Sequence, residues 1–112
     1  MTTNIVLVTG AGSGIGRAIA QKFAERGDTV AAVDLNTEAV EAVASASNGS
    51  IHAFTCDVSD RGQVEALRDA VTDAVGAPTV LVNAAGWDRT DKFLNATAEC
   101  AEKVVAINYM GP

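Results

Sequence analysis

Thr9-Gly10-Ala11-Gly12-Ser13-Gly14-Ile15-Gly16 sets four glycines at alternate positions between two different hydrophobic periods. Before it, Ile5-Val6-Leu7-Val8 is a short continuous apolar run, the pattern of a strand covered on both faces, and so a central parallel strand. After it the period is helical: Ile15, Ile19 and Phe23 share one stripe, and Gly27 supplies a stop. Glycine tolerates positive φ and lets main chain approach a bulky anion, while the helix start beyond it offers free N–H groups and partial positive charge. Strand, glycine loop and helix together read as a pyrophosphate cradle. A purely structural turn needs one or two glycines, not four. The G-x-G-x-x-G spacing does not occur; what occurs is T-G-x-x-x-G-x-G, without the Gly-Lys-Ser/Thr ending of a triphosphate-binding loop.

Outward from the loop the two periods keep alternating. Thr29 to Asp34 reads as a second strand, and Asn36 or Thr37 caps a helix to about Ala46, with Val40 and Val43 facing inward. Asn48-Gly49 ends that helix. Ile51 to Cys56 is a third strand, Ser59-Asp60 opens a helix carrying Val64, Leu67, Val71 and Val75, and Val80-Leu81-Val82 is a fourth strand. A polar loop from Trp87 to Lys92 and a helix from about Ala98 onward are expected next. Strand and helix in alternation with short connections predict a Rossmann-type doubly wound parallel α/β sheet, truncated after about four strands. No second domain or linker is visible, and residues 1–112 are expected to be the N-terminal fragment of a longer single-domain protein. In such a fragment the fourth strand would have an open edge, and aggregation is expected.

The four strands end in polar residues: Thr9, Asp34, Asp57 and Asn83. Ligands of open α/β sheets bind outside that edge, so the four converge on one place. Turn and cap preference accounts for any one of them, less easily for all four. Asp34 lies eighteen positions beyond Gly16, where an acid accepts hydrogen bonds from adenosine ribose hydroxyls. A carboxylate there repels a 2′-phosphate, and Ser13 and Leu35 bring no cation to offset it, so NAD is expected over NADP. Arg17, the one basic residue near the loop, reads as helix surface.

Composition narrows the partners. The chain has 112 residues, 48% of them hydrophobic, and 14 acidic against 8 basic side chains give a formal charge of −6. An acidic surface without Lys/Arg clusters argues against nucleic acid. No apolar run approaches the ~20 residues that span a bilayer, and no basic leader precedes a long apolar core, so a cytoplasmic protein without a membrane partner is expected. Cys56 and Cys100 read as two reduced, partly buried thiols, and His52 has no metal-spaced partner, so no metal is expected.

At this point the residues resemble the short-chain dehydrogenase/reductase family. Thr9 to Gly16 matches its T-G-x-x-x-G-x-G motif, Asp34 matches the acid of its NAD-preferring members, and Asp57-Val58 resembles the pair that meets adenine. Asn83-Ala84-Ala85-Gly86 is similar to its N-N-A-G motif, and Asn108, expected on the last helix, aligns with its catalytic asparagine. The resemblance implies that Gly10, Gly12, Ser13, Gly14, Ile15 and Gly16 hold the pyrophosphate, and that Asp34 and Leu35 lie at the adenosine ribose. It places Asp57 and Val58 at the adenine, and Asn83, Ala84, Ala85 and Gly86 beneath the nicotinamide ribose. Asn108 would hold a water in the proton relay. The family also implies a homotetramer and a small-molecule alcohol or ketone substrate.

Two positions depart from the pattern. Ala84 replaces the second asparagine of N-N-A-G, and Ala101 stands where many members carry tryptophan. The catalytic serine and Tyr-x-x-x-Lys pair that the family implies would lie beyond Asn108; Tyr109 is not followed by a lysine. Turnover is therefore expected only of a longer parent, since acid/base work needs a group within about 3 Å of the moving proton. Gly86-Trp87-Asp88 with Ala106-Ile107-Asn108 is similar to members acting on cyclic hydroxyacyl-CoA thioesters, although a lone loop Trp is more often a packing anchor. The leading expectation is an NAD-dependent oxidoreductase. A non-enzymatic dinucleotide sensor or scaffold would use the same loop, and an S-adenosylmethionine-dependent methyltransferase shares the acid but gives no reason for the glycines.

Overall fold

The computed structural model describes residues 4–12 and 14–84 and, as main chain, the strand at 105–108. Elements alternate as expected: β1 (Ile5–Thr9), α1 (Gly14–Glu25), β2 (Thr29–Asp34), α2 (Thr37–Ser45), β3 (Ile51–Thr55), α3 (Arg61–Ala74), β4 (Val80–Asn83) and β5 (Val105–Asn108). All pairings are parallel and the strand order is β3-β2-β1-β4-β5. The order reverses direction between β1 and β4, which makes the space beyond their C-terminal ends the switch point of the sheet.

Strand side chains alternate between two buried layers. Leu7, Ala31, Val33 and Leu81 pack on one face with Val64, Leu67 and Val71 of α3. Val6, Val8, Val30, Ala32 and Val82 pack on the other with Ala20 of α1 and Val40 and Val43 of α2. Coverage on both sides explains why these strands are continuous apolar runs without alternation. Burying a Val or Leu of this kind contributes about 1.5–3 kcal/mol each. Both later helices start on side-chain caps: Asn36 Oδ1 accepts from Ala39 N–H at 3.1 Å, and Asp60 Oδ1 from Gln63 N–H at 3.2 Å.

Three expectations need correction. The sheet has five strands among the described residues, not four, because Val105–Asn108 pairs with β4 in register from Val80↔Val105 to Asn83↔Asn108. Asn108 therefore ends a strand and does not sit on a helix running from Ala98. Val104, Val105 and Ile107 are β-branched, and the unpaired N–H and C=O groups along β4 supply hydrogen-bond partners that a helix would leave unused. The open edge expected at β4 is accordingly covered. Third, the Ile15, Ile19 and Phe23 stripe of α1 is only partly buried: Gly16 and Ala20 are the fully buried residues, Ile19 and Phe23 pack against the same sheet layer, and Ile15 is 39% exposed. Ile19 and Phe23 flank that contact, half-buried, and the Arg26 guanidinium lies 5.5 Å from the Phe23 ring centre. Small residues let the helix approach the sheet more closely than a branched stripe would.

Candidate functional site

Three hydrogen bonds carry order past the end of the ladder. At the switch point Thr9 is buried and its Oγ1 donates to Asn83 Oδ1 at 2.8 Å, while Ala84 N–H donates to the Thr9 carbonyl at 3.3 Å. On the other side Ala11 N–H donates to the Val33 carbonyl at 3.0 Å. The chain leaving β1 is thus tied to both neighbouring strands, from Thr9 through Ala11 at the start of the glycine loop.

Gly10 and Gly14 adopt φ of 67° and 57°, a region where a side chain is strained. Gly16 is required for a different reason. A Cβ there would fall on the carbonyl oxygen of Gly10, well inside van der Waals contact, so the first turn of α1 packs directly on the loop's main chain. That cradle would be filled by any side chain, and Gly14 and Ile15 at its mouth are exposed. First-turn amides of a helix have no intrahelical acceptor, so this mouth presents donors and the positive end of the α1 dipole to solvent. The arrangement fits an anionic pyrophosphate.

Gly12 behaves otherwise. It is buried, and its N–H donates to Asp34 Oδ2 at 2.8 Å. Asp34 Oδ1 accepts from Asn36 N–H at 2.9 Å, closing an Asx turn that starts the approach to α2. The half-buried carboxylate keeps further lone pairs for a ligand, since each oxygen can accept more than one hydrogen bond. Leu35 beside it is 65% exposed. Leu35 and Ile15 are the two large apolar side chains left open among the described residues.

Asp57 repeats the turn one strand along. Its Oδ1 accepts from Ser59 N–H at 2.9 Å and from Ser59 Oγ at 2.6 Å, and its own N–H donates to Gln63 Oε1 at 2.9 Å. Val58 is buried in the α3-side layer. Cys56 next to it is also buried; burial first, then the charges of Asp57 and Asp60, push its thiol up to about 11, so it is no nucleophile at neutral pH. Sequence reading did not find Gln63 or the Asn36 main chain; the D-x-N and D-x-S spacings of the two Asx turns were the available signal.

The structure brings Gly10, Gly12, Gly14, Gly16, Thr9, Asp34 and Asn83 to one edge of the sheet, with Asn108 placed there by its register with Asn83. Ser13, Ala85, Gly86, Trp87, Asp88, Cys100 and Ala101 lie outside the described residues. Among the described residues no group of three or more His, Cys, Asp or Glu could hold a metal, and no helix is long and apolar enough to cross a membrane.

Residues 4–112 match the family model for short chain dehydrogenases. The chain belongs to that family. D-threitol dehydrogenase of Mycolicibacterium smegmatis is 42% identical over 110 residues, an alignment spanning 96% of this chain and 42% of that protein. The (3R)-3-hydroxyacyl-CoA dehydrogenase of Canis lupus familiaris is 36% identical over 118 residues, 96% of this chain and 46% of that protein. A solved short-chain dehydrogenase from Streptomyces avermitilis superposes with a TM-score of 0.85 at 26% identity, across 96% of this chain and 48% of its own. The chain thus spans somewhat less than half the length of these relatives.

Proposed function

We propose that residues 1–112 are the dinucleotide-binding part of an NAD-dependent short-chain dehydrogenase that interconverts a secondary alcohol and a ketone. The observation that carries this reading is the pairing of an open helix start with Asp34 at the end of the adjacent strand. Amides at Gly14 and Ile15 would hold the pyrophosphate, and the lone pairs left on Asp34 would accept from the adenosine ribose hydroxyls. Exposed Leu35 and the turn at Asp57 would border the adenine, with Val58 contributing main chain because its side chain is buried. Asn83, locked to Thr9, would fix the floor of the nicotinamide end. The coenzyme supplies hydride acceptance and donation; this chain binds and orients it.

Asn108, at the same edge through its pairing with Asn83, would hold a water of the proton relay. The remaining acid/base residues would come from chain beyond position 112, and the full-length protein would be a homotetramer in the cytoplasm. Carboxylate charge at Asp34 and the absence of any cation at Gly12, Leu35 or Asn36 support NAD over NADP. Calorimetry on the full-length protein should show NADH binding at least tenfold tighter than NADPH, about 1.4 kcal/mol. Equal affinities would contradict the assignment. For substrate, the motif around Trp87 and the hydroxyacyl-CoA relative favour a hydroxyacyl thioester, whereas the threitol relative favours a polyol. Steady-state assays with both classes decide: a kcat/KM for the thioester no higher than for simple secondary alcohols removes it.

A further inference from the structure

Gly12 and Asp34 are 22 residues apart in sequence and joined by a 2.8 Å hydrogen bond from main chain to carboxylate. The contact is close on all sides. A Cβ on Gly12 would lie 2.9 Å from Asp34 Oδ2 and 2.9 Å from Ala39 Cβ. The same carboxylate is held from behind by Asn36 N–H, at the cap of α2. Ala11 N–H on the Val33 carbonyl adds a second tie between the loop and β2, one residue earlier. The loop is therefore not a free cradle standing beside a ribose-binding acid. Its middle is pinned by that acid, and the Gly12 amide points into the protein and not toward an anion.

We propose that Asp34 is a positioning residue for the phosphate loop as well as the residue that selects the unphosphorylated ribose, so that coenzyme preference and phosphate affinity are coupled through one carboxylate. This rests on the NAD-binding reading above. The chemistry is a matter of acceptor count. A carboxylate accepts from both Gly12 and Asn36, one on each oxygen; an amide of the same shape has one acceptor oxygen and an NH2 group that would face an N–H. Asp34→Asn removes the charge that repels a 2′-phosphate and, in the same step, releases either the loop or the α2 cap. Neutralising the acid should then weaken the hold on phosphates in both coenzymes, and NADPH should gain nothing.

Adenosine and ADP separate the two roles on the full-length protein, because adenosine meets only the ribose and adenine contacts and ADP adds the phosphates. The wild-type ratio of their dissociation constants measures the phosphate increment. In Asp34→Asn that ratio should fall at least fivefold, with NADPH binding no tighter than in wild type. Exchange of the Gly12 amide with solvent in the ligand-free protein should accelerate at least tenfold, with the Ala11 amide as internal reference. Gly12→Ala reaches the same contact from the loop side: its methyl displaces the carboxylate, the ratio should fall similarly, and discrimination against NADPH should persist because the charge remains. This variant serves if Asp34→Asn fails to fold. An unchanged ratio with improved NADPH binding, or unchanged Gly12 exchange, would overturn the proposal while leaving the coenzyme reading intact. Failure of the wild type to bind ADP or NADH would overturn the coenzyme reading and the proposal with it.

Discussion

β2 is flanked by two aspartates that do the same local job with different outcomes. Asp28, just before the strand, accepts Asn4 N–H on Oδ1 at 3.0 Å, and Asp34, at its end, accepts Gly12 N–H on Oδ2 at 2.8 Å. Each carboxylate ties β2 to the chain next to β1. Asp28 is 5% exposed, and its other oxygen has no hydrogen bond among the described residues; the Arg26 Nε lies 3.9 Å away, a charge contact too long to be one. Asp34 is half-buried and opens on the crevice where the helix start faces solvent. One end of the strand is closed and structural, the other open and available to a ligand. Residue type and bracing bond are shared; what distinguishes the two ends is the topology, since only the C-terminal edge carries the switch point.

The largest expected effect lies at the open end. Gly16→Ala puts a methyl on the Gly10 carbonyl and should lower stability by about 3 kcal/mol, the upper range for overpacking, because main chain has to move. Urea unfolding measures this, and NADH affinity should fall more than 100-fold. If the variant bound NADH normally, close packing of α1 on the loop would not matter to the site.

Asp28→Ala sharpens the contrast. It strands the Asn4 N–H and should destabilise by about 2 kcal/mol, visible as a lower urea midpoint, yet NADH binding to the folded protein should stay within twofold of wild type. A large loss of NADH affinity would show that the closed end communicates with the open one. Thr9→Val is smaller still: it removes the donor to Asn83 Oδ1 without changing shape and should cost about 1 kcal/mol. Differential scanning calorimetry checks it.

Reading the sequence located β1 to β4, α1 to α3, the cap of each later helix to within a residue, and the polar strand ends Thr9, Asp34 and Asn83, since each is written in local periodicity or in a short-range spacing; Asp57, expected to end the third strand, stands two residues beyond β3. Three features were not legible for the same reason. Val105–Asn108 reads as helix by its neighbours and is a strand because β4 offers an edge, a non-local condition. The deepest residues of α1 are Gly16 and Ala20, with Ile19 and Phe23 half-buried beside them, a depth set by how closely the helix meets the sheet. The bond between Gly12 and Asp34 exists only once β1 and β2 are side by side.

The smallest effect concerns Cys56, along the same edge as Asp34. Its thiol titrates higher in the folded protein than the ordinary value of 9.0, so the unfolded chain loses its proton first as pH rises. The contribution to stability is complete below pH 9 and is lost as pH rises from about 9 to about 11. Urea midpoints across that window should fall less in Cys56→Ala than in wild type. Iodoacetamide at pH 8 followed by peptide mapping should leave Cys56 unmodified until the protein unfolds; rapid native-state alkylation would contradict its burial.

The central claim is that the start of α1 and the acid ending β2 form one receptor for the diphosphate and ribose of NAD. A crystal structure of the full-length protein with NADH tests it most directly. Phosphate oxygens within about 3 Å of the Gly14 or Ile15 amides, with Asp34 on the ribose hydroxyls and still holding Gly12 N–H, are the expected result. Phosphates bound away from the helix start, or a ribose that does not touch Asp34, would contradict it.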